Sequence, residues 1–255
     1  MPELARLTWL DAQEAIAEAE LAVFAVGSCE QHGPHLTLET DSAIARAFAQ
    51  RLADDLGGRA LLCPPLAYGL SEHHMGFAGT LTLRAETMLG FLSDLVGSLS
   101  HWGVRRLLVV NGHGGNIDVI RLAARAARRD HRALVAGLMW AQVAADEIAQ
   151  RVTSERYGHA CEVETSVAMV LAPESVHADR IAGPQPTGRR DALTDPPSPR
   201  VDRPTWFHEW TENGALGDPR LASVELGNDI VETAYARALE FARRFAEEPL
   251  PEDGG

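Results

Sequence analysis

The stretch "LAVFAVG", Leu21–Gly27, is an almost continuous apolar run that ends at a glycine. A short run of this kind, without polar alternation, is typical of a strand that is buried on both faces of a sheet. Two later stretches share the pattern, "RLLVVNG" at 106–112 and "RALVAGLMW" at 132–140. We therefore predict three buried strands.

Segments with helical spacing separate and follow these strands. They are "DSAIARAFAQRLADDLGG" (41–58), "AETMLGFLSDLVGSLSHWG" (85–103), "IDVIRLAARAARRDH" (117–131) and "VETAYARALEFARRFAEE" (231–248). Alternation of strand and helix predicts an α/β fold, with a largely parallel sheet covered by helices on both sides. A length of 255 residues fits one α/β unit, so we predict a single domain over residues 1–255.

Composition excludes several classes of protein. The formal net charge of −13 argues against a nucleic-acid partner, which needs a basic face. The sequence has no apolar run long enough to cross a bilayer and no secretory leader, which predicts no membrane association and a cytoplasmic location. The cysteines are too few and too scattered for a disulfide framework or a CxxC zinc site, so we interpret at least two as plain buried thiols. They are Cys29, Cys63 and Cys161.

The segment "GPQPTGRRDALTDPPSPRVDRP", 183–204, is dense in proline and lacks apolar periodicity. We predict an extended loop rather than a domain linker, because the sequence that follows is too short for a convincing second core. The final stretch, 249–255, is predicted to be a frayed end.

Three polar clusters contain most of the residues with catalytic chemistry. "SCEQHGPHLTLETD" (28–41) follows the first strand, "NGHGGN" (111–116) follows the second, and "GHACEVETS" (158–166) comes later. Ligand sites in open α/β sheets gather beyond the carboxyl ends of strands. Histidine and carboxylate ligands without thiolate pairs suit zinc, manganese or ferrous iron.

Each cluster also has a simpler interpretation. The first could be a solvated turn, and the second could be a plain glycine turn or a phosphate cradle, although it lacks the lysine of a P-loop. The third could be an amphipathic helix whose acids, Glu162 in particular, face solvent. Four other histidines receive no site assignment: His101, His131, His177 and His208.

Taken together, "GSCEQHGPHLTLETD", "GLSEHHMGFAGT", "NGHGGN" and "HACEVETS" resemble, in order and approximate spacing, the motifs of the creatininase (creatinine amidohydrolase) family. The resemblance runs from about residue 7 to 171 and, more weakly, through 212–227. It implies a three-layer α/β/α domain with a mixed, mostly parallel sheet. It also implies a hexameric assembly and hydrolysis of C–N bonds with two divalent metal ions (Zn, Mn or Fe).

The resemblance assigns ligands by position. Glu30 and His32 each resemble a ligand to one metal, Asp41 resembles the carboxylate that bridges both, and His113 resembles the ligand in the "NGH" turn.

The fifth ligand is less direct, because creatininase proper has a glutamate where this chain has Gly115. The glutamate immediately before "TS", Glu164, is the fitting replacement. Helical spacing alone would pair His159 with Glu162 instead, unless His159 precedes the first turn of the helix. We choose Glu164.

The implied mechanism is attack on an amide carbonyl by a hydroxide held between the metals. His159 resembles the family's catalytic histidine and would protonate the departing nitrogen. We assign His159 and Glu164 to the catalytic site, and Ser71, His73 and Gly114 to the substrate pocket.

The substrate is an amide, linear or cyclic, in a small molecule or short peptide. Creatininase carries a Trp-Asp pair upstream of its catalytic histidine, whereas this chain has "SERYGHA" there, which makes creatinine possible but not favoured. Other family members deformylate a pyrimidine nucleotide intermediate, trim a peptide during mycofactocin maturation or hydrolyse a keto-inositol ring. Two alternatives are a metal-binding protein without turnover and a sugar or phosphate binder without metal.

Overall fold

A computed structural model describes most of the chain. It covers residues 3–189, 191, 194, 201 and 203–252. The loop predicted at 183–204 and the frayed end predicted at 249–255 lie partly outside these residues. Residues 183–189 and 203–206 contain no helix or strand, whereas Leu250 packs against the hydrophobic core. No helix in the covered ranges combines the length and apolarity needed to cross a membrane.

The sheet is built around strand β1 (Leu21–Val26), whose six residues are all buried. Strand β2 (Ala60–Leu66) pairs with one edge of β1 and β3 (Arg106–Asn111) with the other, and β4 (Leu134–Met139) lies outside β3. All three pairings are parallel. Within the described residues, antiparallel pairing is limited to isolated bridges. The three strands expected from the sequence are thus confirmed, and so is the α/β class.

Strand β2 has no counterpart in the sequence analysis. Its sequence, "ALLCPPL", contains Pro64 and Pro65, which cannot donate to a sheet ladder. The strand tolerates them because it lies at the edge of the described sheet and needs partners on one side only. The register with β1 also shifts between Phe24 and Val26, opposite the two prolines.

Helices account for most of the remaining regular structure. The α-helices are α1 (Trp9–Glu18), α2 (Thr40–Leu56), α3 (Ala85–His101), α4 (Ile117–His131), α5 (Trp140–Val143), α6 (Ala145–Arg151), α7 (Glu162–Leu171), α8 (Phe207–Trp210) and α9 (Val224–Glu247). The four predicted helices correspond to α2, α3, α4 and α9. Helix α9 begins earlier than predicted because the Ser223 side chain caps it, accepting a hydrogen bond from the Leu226 N–H at 3.1 Å.

Alternate residues of the strands pack against two separate helical layers. Leu21 and Val23 belong to a core cluster with residues of α2, α7 and α9, whereas Ala22 and Phe24 belong to one with α3 and α4. This alternation follows from the two-residue period of a strand. The fold is therefore a three-layer α/β/α arrangement.

Two glycines let the start of α2 approach the sheet closely. A methyl group at Gly27, just after β1, would overlap the backbone of Ser42. A methyl group at Gly112, just after β3, would overlap the carbonyl oxygen of Asp41. Glycine at these positions places the first turn of α2 against the carboxyl ends of both strands.

We expect Gly112→Ala to lower the free energy of unfolding by about 1–3 kcal/mol, the usual cost of forcing extra volume into a packed site. Urea unfolding measures this. Gly90→Ala is the control, because Gly90 lies inside α3 with open space where a side chain would stand. That substitution should raise stability by about 0.4–1 kcal/mol. Unchanged stability in Gly112→Ala would contradict the close approach.

Candidate metal centre

The residues predicted as ligands meet at the carboxyl ends of β1 and β3. Strand order reverses between these two strands, since the chain passes from β1 to β2 on one side and then to β3 on the other. Ligands bind at such reversals in α/β sheets. The loop after β1 contributes Glu30 and His32, and the first turn of α2 contributes Asp41. His113 follows β3, and Glu164 lies in the first turn of α7.

The ligand atoms form three groups, two of which share Asp41. These two are Glu30, Asp41 and His113, and His32, Asp41 and Glu164; the third group is Glu30, His32 and His159. In each group these atoms lie within 4.8 Å of one another. Asp41 Oδ2 is 3.1 Å from His113 Nδ1, and Asp41 Oδ1 is 3.1 Å from His32 Nε2. The structure thus brings all five predicted ligands together around one carboxylate.

Hydrogen bonds to main-chain carbonyls orient both imidazoles. His113 Nε2 lies 2.9 Å from the carbonyl oxygen of Leu70, and His32 Nδ1 lies 3.1 Å from that of Glu30. A carbonyl only accepts, so each of these nitrogens carries the proton. In the neutral ring the other nitrogen, His113 Nδ1 or His32 Nε2, therefore presents its lone pair to the carboxylates. Histidines that bind metals usually donate their other ring N–H to a carbonyl or carboxylate in this way.

Three buried carboxylate oxygens lack a hydrogen-bond partner among the described residues, and two of them lie in this cluster, Glu30 Oε1 and Asp41 Oδ2; the third is Glu162 Oε2. His113 Nδ1 lies 3.2 Å from the first and 3.1 Å from the second. A lone pair held this close to two anionic oxygens requires a positive charge between them, either a proton or a metal ion. The residues present therefore fit a divalent metal with nitrogen and oxygen ligands.

The electrostatics of the same groups favour bound cations. Burial opposes the charged form of His32, but the charges of Asp41 and Glu164 outweigh it, and the pKa of His32 lies well above its ordinary value. Burial also opposes protonation of His113. The charges of Glu30 and Asp41 nevertheless raise the pKa of His113 well above the usual range. Burial acts against ionisation of Glu30, but His113 lowers the pKa of Glu30 to about 2. Without metal, protons therefore occupy the ligand positions.

His159 lies directly beside the two groups. It precedes α7, as the choice of Glu164 assumed, and its Nδ1 is 3.8 Å from Glu30 Oε1 and 3.9 Å from Glu164 Oε2. Its Nε2 is 2.7 Å from the main-chain carbonyl of Gln31 and therefore carries the proton. Burial, together with the charge of His32, lowers the pKa of His159. The ring is neutral, with its free nitrogen toward the carboxylates.

The two glutamates of the "HACEVETS" motif face different surroundings. Glu164 Oε1 lies 3.7 Å from His32 Nε2, inside the cluster. Glu162 is buried, contrary to the solvent-facing interpretation, and its Oε1 accepts a hydrogen bond from the Ser154 N–H at 3.0 Å. Glu164 is the one that belongs to a potential metal-binding group.

The three predicted substrate contacts occupy different positions. Ser71 is fully buried, and its Oγ lies 2.7 Å from the Oγ of Ser28, which donates to Glu30 Oε2 at 2.7 Å. His73 is half-buried and stacks on His113 with ring centroids 5.6 Å apart. A methyl group at Gly114 would meet no atom within 4 Å, so this position borders open space. Contact with substrate stays a prediction for all three.

Sequence reasoning missed three residues that surround the cluster. The Nε2 of His74 lies 3.2 Å from Glu30 Oε1, and burial lowers the pKa of this histidine far below its ordinary value. The side chain of Gln31 contacts both His74 and His159. Phe207, in α8, lies against both of those imidazoles, with centroid distances of 4.0 and 4.7 Å. The motif "EQH" contains Gln31, but no local pattern points to Phe207.

The cysteines have no part in this cluster. Cys63 and Cys161 are buried, as interpreted from the sequence, and burial raises the pKa of each to about 12. Thiols with such pKa values are poor nucleophiles at neutral pH.

Comparison with known proteins assigns this arrangement to a family. The family model described as creatinine amidohydrolase matches residues 5–242. The chain belongs to the creatininase family. Members of this family are metal-dependent amidohydrolases, and so this protein is one.

Individual relatives agree with this family assignment. The mycofactocin precursor peptide peptidase of Mycobacterium ulcerans is 36% identical over 212 residues, covering 80% of this chain and 77% of that protein. The creatinine amidohydrolase of Pseudomonas putida is 30% identical over 246 residues, covering 89% and 90%. A crystal structure of creatinine amidohydrolase, 27% identical, superposes with a TM-score of 0.81 over 96% of this chain and 98% of that one. Among solved creatininases, one is of a Zn–Zn type and one contains Mn.

Gly115 packs closely against the hydrogen bond that orients His113. A methyl group at this position would overlap the carbonyl oxygen of Leu70 and approach His113 Nε2. These two atoms form the hydrogen bond that orients His113. A side chain at Gly115 would crowd that bond, whereas the carboxylate of Glu164, in α7, lies 3.7 Å from His32 Nε2.

A departure from creatininase proper concerns the aromatic residue near the centre. Tyr157, the aromatic residue of "SERYGHA", packs against the hydrophobic core. Phe207 instead contacts the imidazoles, from a part of the chain that follows the proline-rich segment. The apolar surface at this creatininase-like centre therefore comes from a segment distant in sequence.

We expect Glu164→Gln to weaken metal binding by at least about 10–100-fold, because loss of even an outer-shell partner has an effect of that size. Glu162→Gln is the matched control in the same turn of α7, since glutamine can still accept the hydrogen bond from Ser154. Elemental analysis after dialysis against a dilute chelator measures both variants. Equal metal loss in both would contradict the ligand assignment.

Metal binding should release protons. The raised pKa values of His32 and His113 mean that both are protonated at neutral pH without metal. Binding of a metal ion to either imidazole therefore displaces one proton from it. Affinity should therefore rise with pH. Calorimetric titration with Zn²⁺ at pH 7, in two buffers of different ionisation enthalpy, counts the protons. Identical heats in both buffers would show that the imidazoles are already neutral.

Proposed function

We propose that this protein hydrolyses an amide C–N bond with two divalent metal ions per chain. The observation that carries the proposal is the pair of ligand groups that share Asp41. Glu30 and His113 would complete one site, and His32 and Glu164 the other. A single carboxylate common to two groups of ligands is the arrangement that a bridged metal pair requires.

Metal ions bound here would polarise the scissile carbonyl and lower the pKa of a water molecule. The chain's own residues have separate tasks. Asp41 and Glu30 supply negative charge from positions that water does not reach, which keeps the local dielectric low. Three carboxylates that face one another also disfavour a phosphate ligand, so the phosphate-cradle interpretation receives no support.

His159 is suited to carry a proton to the departing nitrogen. Its Nε2–H is held by the carbonyl of Gln31, so the proton that moves is one taken up at Nδ1. That nitrogen faces Glu30 and Glu164, on the side where the substrate would react. A neutral ring can accept a proton from the attacking water and release it to the leaving group.

The predicted substrate contacts separate into two kinds. His73, stacked on His113, and Gly114, beside open space, are placed to contact a substrate. Ser71 is placed to orient Ser28 and through it Glu30, because its Oγ contacts the Oγ of Ser28, which donates to Glu30 Oε2. We propose that Phe207 supplies the apolar wall over His159 and excludes water from the proton transfer.

The amide of a short peptide is the substrate class we favour. The peptide peptidase of M. ulcerans is 36% identical to this chain, whereas the creatinine amidohydrolase of P. putida is 30% identical. The absence of the Trp-Asp pair points the same way. Creatinine, formamides and cyclic ketones form the comparison set, since relatives include a 3-dehydro-scyllo-inosose hydrolase and a deformylase.

The test begins with protein purified without added metal or chelator. Elemental analysis gives the identity and number of ions, and a substrate panel of short peptides, creatinine, formamides and cyclic ketones follows. Two ions per chain with peptide hydrolysis would support the proposal in full. One ion would remove the bridging role of Asp41. The hexameric assembly and cytoplasmic location implied by the resemblance stay predictions, to be tested by light scattering and cell fractionation.

Two substitutions separate metal binding from turnover. Asp41→Asn should lose both ions, because the residue contributes to both groups. His159→Asn should keep the ions and lose about 10²–10⁴-fold in kcat, the usual contribution of a general acid–base group. Metal content and kcat are measured on the same preparation. Full metal content in Asp41→Asn, or wild-type kcat in His159→Asn, would remove the respective assignment.

A further inference from the structure

A chain of hydrogen bonds fixes the orientation of the Gln31 side chain. The N–H of Gly33 donates to Gln31 Oε1 at 2.9 Å. A main-chain N–H can only donate, so this atom is the oxygen of the amide, and the NH₂ group points the other way. That group lies 2.8 Å from His74 Nδ1 and 3.3 Å from the carbonyl oxygen of Gly214.

The orientation of Gln31 in turn fixes the tautomer of His74. The NH₂ group has two hydrogens and donates one to His74 Nδ1 and the other to the carbonyl oxygen of Gly214. The 3.0 Å approach of the same nitrogen to His159 Nε2 is not a third bond, because that atom donates to the carbonyl of Gln31. His74 Nδ1 is therefore an acceptor. The proton of the ring must lie on Nε2, because a proton on Nδ1 would face those of the amide.

The Nε2–H of His74 has no hydrogen-bonded acceptor among the described residues. It lies 3.2 Å from Glu30 Oε1, but that oxygen accepts no hydrogen bond, so the contact lacks the required direction. Such a donor beside a catalytic centre suggests that its acceptor arrives with the substrate.

Neighbouring rings hold His74 in this position. Phe207 stacks on it at a centroid distance of 4.0 Å and an interplanar angle of 21°. His73 and His159 each lie 4.4 Å from it, measured between ring centroids. The donor is thus rigid and lies next to the histidine that would protonate the leaving group. A donor that needs no reorganisation stabilises charge more effectively than a mobile one.

We propose that His74 is a further catalytic residue, whose Nε2–H donates a hydrogen bond to the carbonyl oxygen of the scissile amide. The inference rests on the proposed amidohydrolase function. As the carbonyl is attacked, negative charge grows on its oxygen, and a fixed N–H in a buried site stabilises that charge. Gln31 is a positioning residue in this scheme, because it acts only by keeping the proton of His74 on Nε2.

Two variants of His74 separate the donor from the rest of the ring. In His74→Asn the amide reaches only the Nδ1 position, so the contact with Gln31 is kept and the donor is lost. In His74→Gln the amide nitrogen reaches the Nε2 position and restores it. We expect His74→Asn to lose about 10²–10³-fold in kcat, as for removal of one oxyanion donor, with unchanged metal content. His74→Gln should recover part of that loss.

The kinetic measurement uses full-length, zinc-loaded protein with a short-peptide anilide and with creatinine. A wild-type kcat in His74→Asn, or a rise in KM alone, would overturn the catalytic role. Loss of metal in parallel with kcat would overturn it too, by making His74 a positioning residue for Glu30. Failure of the wild-type protein to bind metal or hydrolyse either probe would instead count against the proposed function.

A second measurement does not depend on turnover. ¹⁵N NMR of zinc-loaded protein labelled at histidine distinguishes the two tautomers, with His74→Gln assigning the signal. We expect the Nε2–H form in the wild type. Gln31→Glu replaces the NH₂ group by an acceptor and should draw a proton onto Nδ1. An Nδ1–H tautomer in the wild type would overturn the inference whatever the kinetics show.

Discussion

Burial of the Glu30 and Asp41 carboxylates side by side is the constraint on which the rest of the structure depends. Two carboxylates that share one imidazole, His113, need compensating positive charge, because an isolated buried anion is too costly to keep. The first turn of α2 supplies part of it, since Asp41 lies where the helix dipole favours negative charge. Metal ions or protons must supply the remainder.

This requirement explains the tight geometry around the sheet ends. Gly27 and Gly112 allow α2 to approach both strands, and the approach places Asp41 between His32 and His113. The carbonyls of Glu30 and Leu70 then set the tautomers of the two imidazoles. Strand order, the two glycines and these hydrogen bonds therefore together fix the positions of Asp41, His32 and His113.

The parts of the site that could be predicted from sequence are those that follow directly from a strand or begin a helix. Glu30, His32, Asp41 and His113 lie within a short distance of β1, α2 or β3 along the chain, so their motifs locate them. His74 could not be distinguished from His73, because the burial of one and not the other depends on a short turn and on Phe207 from far along the chain. Strand β2 was missed because prolines are rare in strands. Its position at the edge of the described sheet, which the sequence alone does not reveal, is what allows them.

The exchange of a carboxylate at Gly115 for Glu164 has a consequence for how the protein matures. Ligands after β1 and β3 come together as soon as the parallel strands pair, whereas Glu164 arrives only when α7 docks on α2 and α9. The residues of the centre therefore have very different sequence separations, short between Glu30 and Asp41 and long between His32 and Glu164. Contacts with a larger sequence separation carry a larger loop-closure entropy cost. In the proposed centre, a chain that has not yet packed α7 would hold Glu30, Asp41 and His113 together without Glu164, so occupancy of the second metal site would report that α7 has docked.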